Sequence, residues 1–334
     1  MPRTRGLLPP RTKRAVRPRG ADPYRQFATE IGERMTVVDV ETGDLYPTRV
    51  GTEPSLIRRQ DPVVWPGVSS GPIDRQTLAS YDEKGFLTVE GLLTPAEVQQ
   101  FWQELQRLSS DAEVKADERT IVEKASDEVR SIFEVHKISE AIGRLAADER
   151  VLDRARQIVG SDVYIHQSRV NFMPGYKGKG FYWHSDFETW HAEDGMPRMR
   201  AVSMSIALTD NYPFNGGLML MPGAHRTFVS CVGATPEDNY KASLKEQEIG
   251  VPDEDSITRL AAEHGIEQFT GSAGSALMFD SNSMHGSGNN ITPFPRSNIF
   301  LVFNSVENRL HDPYAAAAPR PTFIADRSFI PVQR

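Results

Sequence analysis

The stretch FYWHSDFETWH, residues 181–191, sets His184 two positions before Asp186 and surrounds the pair with five aromatic side chains. An imidazole and a carboxylate this close in an aromatic setting have two readings. They are a hydrogen-bonded polar pair stabilising a strand, or they are two thirds of a metal site. A third ligand elsewhere in the chain decides between them.

The chain as a whole limits where such a ligand can come from. Of its 334 residues, 39% are hydrophobic and 25% charged, the balance of a folded globular protein. No apolar run approaches the ~20 residues a bilayer span needs, and the arginine-rich start lacks the apolar stretch of a secretory signal. Cys231 is the sole cysteine, which excludes a disulfide framework or a thiolate zinc site within one chain. These features predict a cytoplasmic protein with no membrane partner. The net charge of −7 hides a basic start, since residues 1–20 hold seven Arg or Lys and no acid. Such an arm suits nucleic acid, but the remainder is acidic, so a solvated, disordered extension without a nucleic-acid partner is the expectation.

Residues 21–334 read as one domain. Residues 21–75, rich in Pro, Arg and Asp, form an irregular lead-in with short strands, including MTVVDVETG with a turn at Thr42–Gly43. A helical buttress follows over about 94–160. Thr94 caps a helix with Pro95 at its first position and Glu97 completing a capping box. Val98, Phe101, Trp102, Leu105 and Leu108 then share one face. A second helical region from Ser139 ends at Gly160.

Beyond it, about 161–308, the texture becomes short β-like runs: DVYIHQSRVNFM, RAVSMSIALTD, GGLMLMP, GSALMFD and NIFLVFNSV. Strands without intervening helices predict a sandwich or barrel. In the first run Gln167, Arg169 and Asn171 share a face with Val163 and Ile165. In the second, Ala201, Ser203, Ser205 and Ala207 oppose Val202, Met204, Ile206 and Leu208. The polar faces point either to solvent or into a lined cavity.

Among eight histidines, His285 is set apart by its context. It follows the apolar run SALMFD in the turn-rich SNSMHGSGNN, 99 residues beyond Asp186. His184, Asp186 and His285 make a two-histidine, one-carboxylate facial triad suited to Fe(II). Three protein ligands on one face leave positions for a chelating oxo acid and for O2. Arg296, 11 residues past His285, is placed to clamp the distal carboxylate of 2-oxoglutarate.

The segment from about Val163 to Asn308 resembles the phytanoyl-CoA-dioxygenase-like branch of the Fe(II)/2-oxoglutarate oxygenases. The resemblance rests on the His-x-Asp pair, GGLMLMPGAHR (216–226), the distal histidine and the following arginine. FYWHSDFETWHAEDGMPRMRA (181–201) is most similar to the ectoine hydroxylases of that branch. The resemblance implies a mainly β protein with flanking helices around a double-stranded β-helix, the jelly roll of cupin-like folds, and a homodimer. It implies hydroxylation of ectoine, a compatible solute, to 5-hydroxyectoine with loss of succinate and carbon dioxide. His184, Asp186 and His285 match the iron ligands and Arg296 the 2-oxoglutarate clamp. Phe181, Asn171, Ser205 and Ser287 are candidates for the co-substrate pocket. Gln167, Arg169, Thr189, Trp190 and Phe303 are candidates for ectoine. Met173 departs from the family pattern, which often has a lysine there.

Ectoine carries a delocalised amidinium and a carboxylate. An aromatic face such as Trp190 attracts the cation, and Gln167 or Arg169 can bond the polar edge. His225 reads as a turn residue, His191 as a neighbour of the site or a surface residue, and Cys231 as a small buried apolar group. The alternatives are a hydroxylase of another small solute or amino acid, or a non-catalytic metal-binding jelly roll. An iron halogenase is disfavoured because Asp186 fills the halide's position.

Overall fold

The structure, a computed structural model, describes residues 43–123, 127–244 and 249–334. The basic arm expected over residues 1–20 and the lead-in as far as residue 42 lie outside the described residues.

In chain order the strands are β1 (Ser55–Arg58), β2 (Phe86–Val89), β3 (Thr120–Val122), β4 (Val129–Phe133), β5 (Val163–Met173), β6 (Phe181–His184) and β7 (Ala201–Ala207). They continue as β8 (Leu218–Leu220), β9 (Thr227–Ser230), β10 (Glu267–Gln268), β11 (Ala276–Asp280), β12 (His285–Ser287) and β13 (Arg296–Ser305). A seven-stranded sheet runs β2-β11-β7-β13-β5-β4-β3 and a four-stranded one β10-β8-β12-β6, while β1 and β9 form a ribbon. Every pairing is antiparallel. One cavity takes its walls from both larger sheets, the arrangement of a jelly roll.

The helices cover the outer face of the large sheet. Thr94 and Glu97 cap the Pro95–Ser110 helix reciprocally, each side chain accepting from the other's backbone N–H. That helix buries Phe101, Leu105 and Leu108. The second helical region is two helices, Glu140–Ala147 and Glu149–Val159. They part at Asp148, whose side chain accepts from the Arg150 N–H and caps the second one. Gly160 closes it at φ 68, in the left-handed region where a side chain is disfavoured. Beneath these helices Leu105, Ile142 and Leu152 join Val202, Met204 and Ile206 of β7 and Ile299, Leu301 and Phe303 of β13 in one core.

The other face of β7 therefore cannot meet solvent. Ser203 and Ser205 are buried, and Ser205 lines the cavity. Of the two readings open for these polar faces, the cavity is the one realised. The face expected for β5 needs a correction. Residues 167–173 pair with β13 in unbroken register, but Phe303 then faces Ile165 and not His166. His166 is a bulge, one extra residue that shifts the side-chain phase. Val163 and Ile165 thus join the helix-side core, whereas Gln167, Arg169 and Asn171 face the cavity. The expected sharing of one face is broken at that residue.

Candidate active site

The triad is assembled by two neighbouring strands. His184 ends β6 and His285 begins β12, and the two stand directly opposite one another in the antiparallel register. Asp186 follows at the start of the helix Asp186–Asp194. One ligand atom from each of His184, Asp186 and His285 lies within 4.8 Å of the others, and this is the one such cluster of three among the described residues. His184 Nε2 is 3.8 Å from Asp186 Oδ1, and the imidazole centres are 4.2 Å apart.

The surrounding bonds aim these groups. His184 Nδ1 lies 2.7 Å from the Tyr182 carbonyl oxygen and His285 Nδ1 2.9 Å from that of Ser283. With each Nδ1–H donated to a carbonyl, each Nε2 presents its lone pair inward, the tautomer a metal ligand requires. Ser203 Oγ donates to Asp186 Oδ2 at 3.3 Å and fixes the carboxylate's rotation. Ser185 Oγ donates to Asn282 Oδ1 at 2.9 Å, tying the two ligand-bearing segments together. Burial, reinforced by His285, pushes the His184 imidazole down to about 4, so it is neutral and available at neutral pH. Two imidazole nitrogens and one carboxylate on one side suit Fe(II) and leave the opposite side open.

The triad lines a cavity of about 360 Å³. Twelve of the thirteen residues expected to form the site border it; beside the triad, Phe181, Asn171, Ser205, Ser287 and Arg296 do so, as do Gln167, Arg169, Thr189 and Trp190. Arg296 is half-buried with its Nε enclosed and unpartnered, and desolvation pushes it down to about 10. Met173 stands opposite it in register and puts a thioether at the position where the resemblance expects a cation. Arg169 is likewise half-buried with an enclosed, unpartnered Nε, its guanidinium carbon 4.6 Å from the Phe300 ring centre. Gln167 Nε2 donates to the Ile324 carbonyl at 2.8 Å, which fixes its amide plane.

The thirteenth expectation is corrected. Phe303 is fully buried in the helix-side core and does not border the cavity. Alternation along β13 sends Arg296, Asn298 and Phe300 inward, so the aromatic wall residue on that strand is Phe300.

Residues the sequence reading passed over complete the walls. Asp186, Thr189, Trp190 and Glu193 fall at helical spacing i, i+3, i+4 and i+7, and all four border the cavity. Reading 186–194 as helix would have found Glu193; its aromatic content disguised that period. Arg320, from the C-terminal segment, also borders the cavity and forms a fork with Asp194 at 2.8 and 2.5 Å. Burial alone would raise the Asp194 carboxyl, but the Arg320 guanidinium holds it down to about 2. No local motif marks Arg320.

The profile described as phytanoyl-CoA dioxygenase (PhyH) matches residues 81–298. The chain belongs to the phytanoyl-CoA dioxygenase family. A relative from Nocardia farcinica named ectoine dioxygenase is 61% identical over 88% of this chain and 97% of its own length. An ectoine dioxygenase from Streptomyces coelicolor is 58% identical over 90% of this chain and 100% of its own. Among solved structures, EctD from S. alaskensis with bound Fe is similar at a TM-score of 0.78 and 45% identity, covering 87% of this chain and 97% of that one. EctD with 2-oxoglutarate and 5-hydroxyectoine is similar at 0.77 and 46%, covering 85% and 95%.

In this phytanoyl-CoA dioxygenase family member the remaining histidines near the motif serve packing. His191 is buried, with Nδ1 2.8 Å from the Met196 carbonyl and its ring stacked 4.0 Å from that of Tyr314. His225 is buried in a 3-10 turn, its Nε2 3.2 Å from the Asp82 carbonyl. Cys231 is buried, and burial pushes its thiol pKa up. No helix among the described residues is long and apolar enough to cross a membrane.

Proposed function

We propose that this chain is an Fe(II)- and 2-oxoglutarate-dependent hydroxylase converting ectoine to 5-hydroxyectoine. The observation that carries the reading is the facial triad inside a cavity that also holds two guanidiniums, Arg169 and Arg296, each with an enclosed, unpartnered Nε and with no carboxylate bonded to either among the described residues. A desolvated cation needs an anion, and this reaction brings two carboxylate-bearing molecules. The likeness to ectoine dioxygenases over nearly the whole chain supports the choice of substrate.

His184, Asp186 and His285 hold the metal. Fe(II) with 2-oxoglutarate and dioxygen supplies C–H hydroxylation there, one oxygen atom entering the product and the other succinate as carbon dioxide leaves. Arg296 receives the distal carboxylate of 2-oxoglutarate as a two-pronged partner. Asn171, Ser205 and Ser287 offer polar contacts to the same molecule, and Phe181 closes its side. Trp190 receives the amidinium of ectoine on its ring face, while Gln167, Arg169 and Thr189 hold the polar edge and orient one C–H toward the metal. The protein works as a homodimer, as the family resemblance supports, and in the cytoplasm, as its lone buried cysteine supports.

The test is anaerobic loading with Fe(II) and 2-oxoglutarate, followed by oxygen with and without ectoine. The expected product is ectoine plus one oxygen atom, with succinate in step. Asp186→Ala should abolish both and leave the fold intact. Failure of the wild type to oxygenate ectoine, or undiminished turnover by Asp186→Ala, would overturn the reading.

A further inference from the structure

Glu193 is the one member of the cavity-facing helix stripe that the assigned roles leave unused. The helix Asp186–Asp194 presents Asp186, Thr189, Trp190 and Glu193 to the cavity. Seven residues separate the metal-ligand carboxylate from this second one, ~10 Å along the axis. That distance accommodates one six-membered ring between the metal and Glu193.

The position is electrostatically unusual. Glu193 sits in the last turn of the helix, which ends at Gly195, where exposed carbonyls already favour cations over acids. Its side chain is nonetheless buried, at 3% exposure. Arg49 Nη1 donates to Glu193 Oε1 at 2.7 Å, and Asn239 Nδ2 donates to the same oxygen at 2.8 Å. The other carboxylate oxygen receives no hydrogen bond from any described residue. Arg49 is shared, since its Nε and Nη2 also grip Glu188 at 2.9 and 2.7 Å. One guanidinium thus faces two carboxylates, and the neighbouring Arg320–Asp194 pair is neutral. The cluster keeps one negative charge in excess at the cavity wall, one helical turn beyond Trp190.

We infer that Glu193 is a specificity-determining residue that receives the cationic edge of the substrate ring, its free oxygen bonding the amidinium whose face rests on Trp190. Arg49 and Asn239 are positioning residues that hold Oε1 so that the second oxygen points into the cavity. A delocalised N–C–N cation offers N–H donors in one plane, which a fixed carboxylate accepts and a neutral amide does not match. The inference rests on the ectoine reading above and adds the group that selects for the substrate's charge.

The test is Glu193→Gln, which keeps the shape and removes the charge. The wild type is first shown to oxygenate ectoine; if it does not, the functional reading falls and this inference with it. If it does, the variant speaks to Glu193 alone. The expected result is a KM for ectoine about tenfold higher or more, with 2-oxoglutarate KM and Fe(II) affinity unchanged. More 2-oxoglutarate should be decarboxylated without product, and Glu193→Asp should restore part of the affinity. An unchanged ectoine KM, or equal rises for both substrates, overturns the assignment. A second measurement needs no variant. Cyclohexanecarboxylate, which has the ring and carboxylate without the cation, should compete with ectoine at least about tenfold more weakly than unlabelled ectoine does. Equal competition means that the cation adds nothing to binding, and the inference fails.

Discussion

Arg169 and Phe300 stand opposite one another on β5 and β13, the guanidinium carbon 4.6 Å from the ring centre and no carboxylate bonded to it among the described residues. An aromatic face only partly replaces the water that a buried guanidinium gives up. The ligand-free protein therefore carries a destabilising charge that the substrate relieves. Arg169→Met should raise the stability of the ligand-free protein, by about 1–3 kcal/mol, while ectoine affinity collapses. Urea melts and substrate titrations check both halves. A loss of stability would make Arg169 a structural residue.

Arg296 differs because its proposed partner is the co-substrate. Arg296→Lys keeps one positive charge and loses the planar fork. The KM for 2-oxoglutarate should rise roughly tenfold, and that for ectoine should change little. Steady-state kinetics with each substrate varied in turn decide this, and equal values in variant and wild type would remove Arg296 from the role.

Phe303 and Phe300 separate packing from recognition on one strand. Phe303→Ala opens a void among Ile299, Leu301 and the covering helices and should cost about 3–5 kcal/mol. Phe300→Ala should cost less stability and more ectoine affinity, because its ring borders the cavity. Paired melts and KM values make the comparison; the opposite pattern would place the cavity on the wrong face of β13.

The pH dependence follows from three histidines. Burial pushes His136, His184 and His225 down to about 4. An unfolded imidazole titrates near ~6.5, so between those values the unfolded chain binds protons that the folded chain refuses. Their full contribution is present above pH ~6.5 and is lost as pH falls toward ~4, at up to ~1.4 kcal/mol per pH unit for each. Urea midpoints should fall between pH ~7 and ~5. Stability that holds or rises across that interval would mean that these imidazoles accept protons in the fold.

The metal ligands were legible because their chemistry is local: His-x-Asp names two of them, and an apolar strand leading into a turn names the third. The strands and the capped helix at Thr94 were legible for the same reason. Phe303 was misplaced because NIFLVF offers phenylalanines of both phases, and only the β5–β13 register distinguishes them. Glu193 was hidden by a helix that lacks a polar outer face, being buried nearly throughout. Arg320 comes from a segment with no periodicity, and its place depends on Asp194, 126 positions earlier.

The bulge at His166 divides β5 into two territories. Upstream, side chains obey the helices they support; downstream, the same strand answers to the ligands. Were His166 an ordinary member of the ladder, unbroken alternation would carry Gln167, Arg169 and Asn171 toward the helices as surely as it carries Val163 and Ile165. Deleting His166 itself would close the ladder and leave each half on its own face, whereas inserting or deleting a residue elsewhere along the strand would exchange the faces on one side of the change. What separates the two territories is a count: one residue held out of the ladder between Ile165 and Gln167.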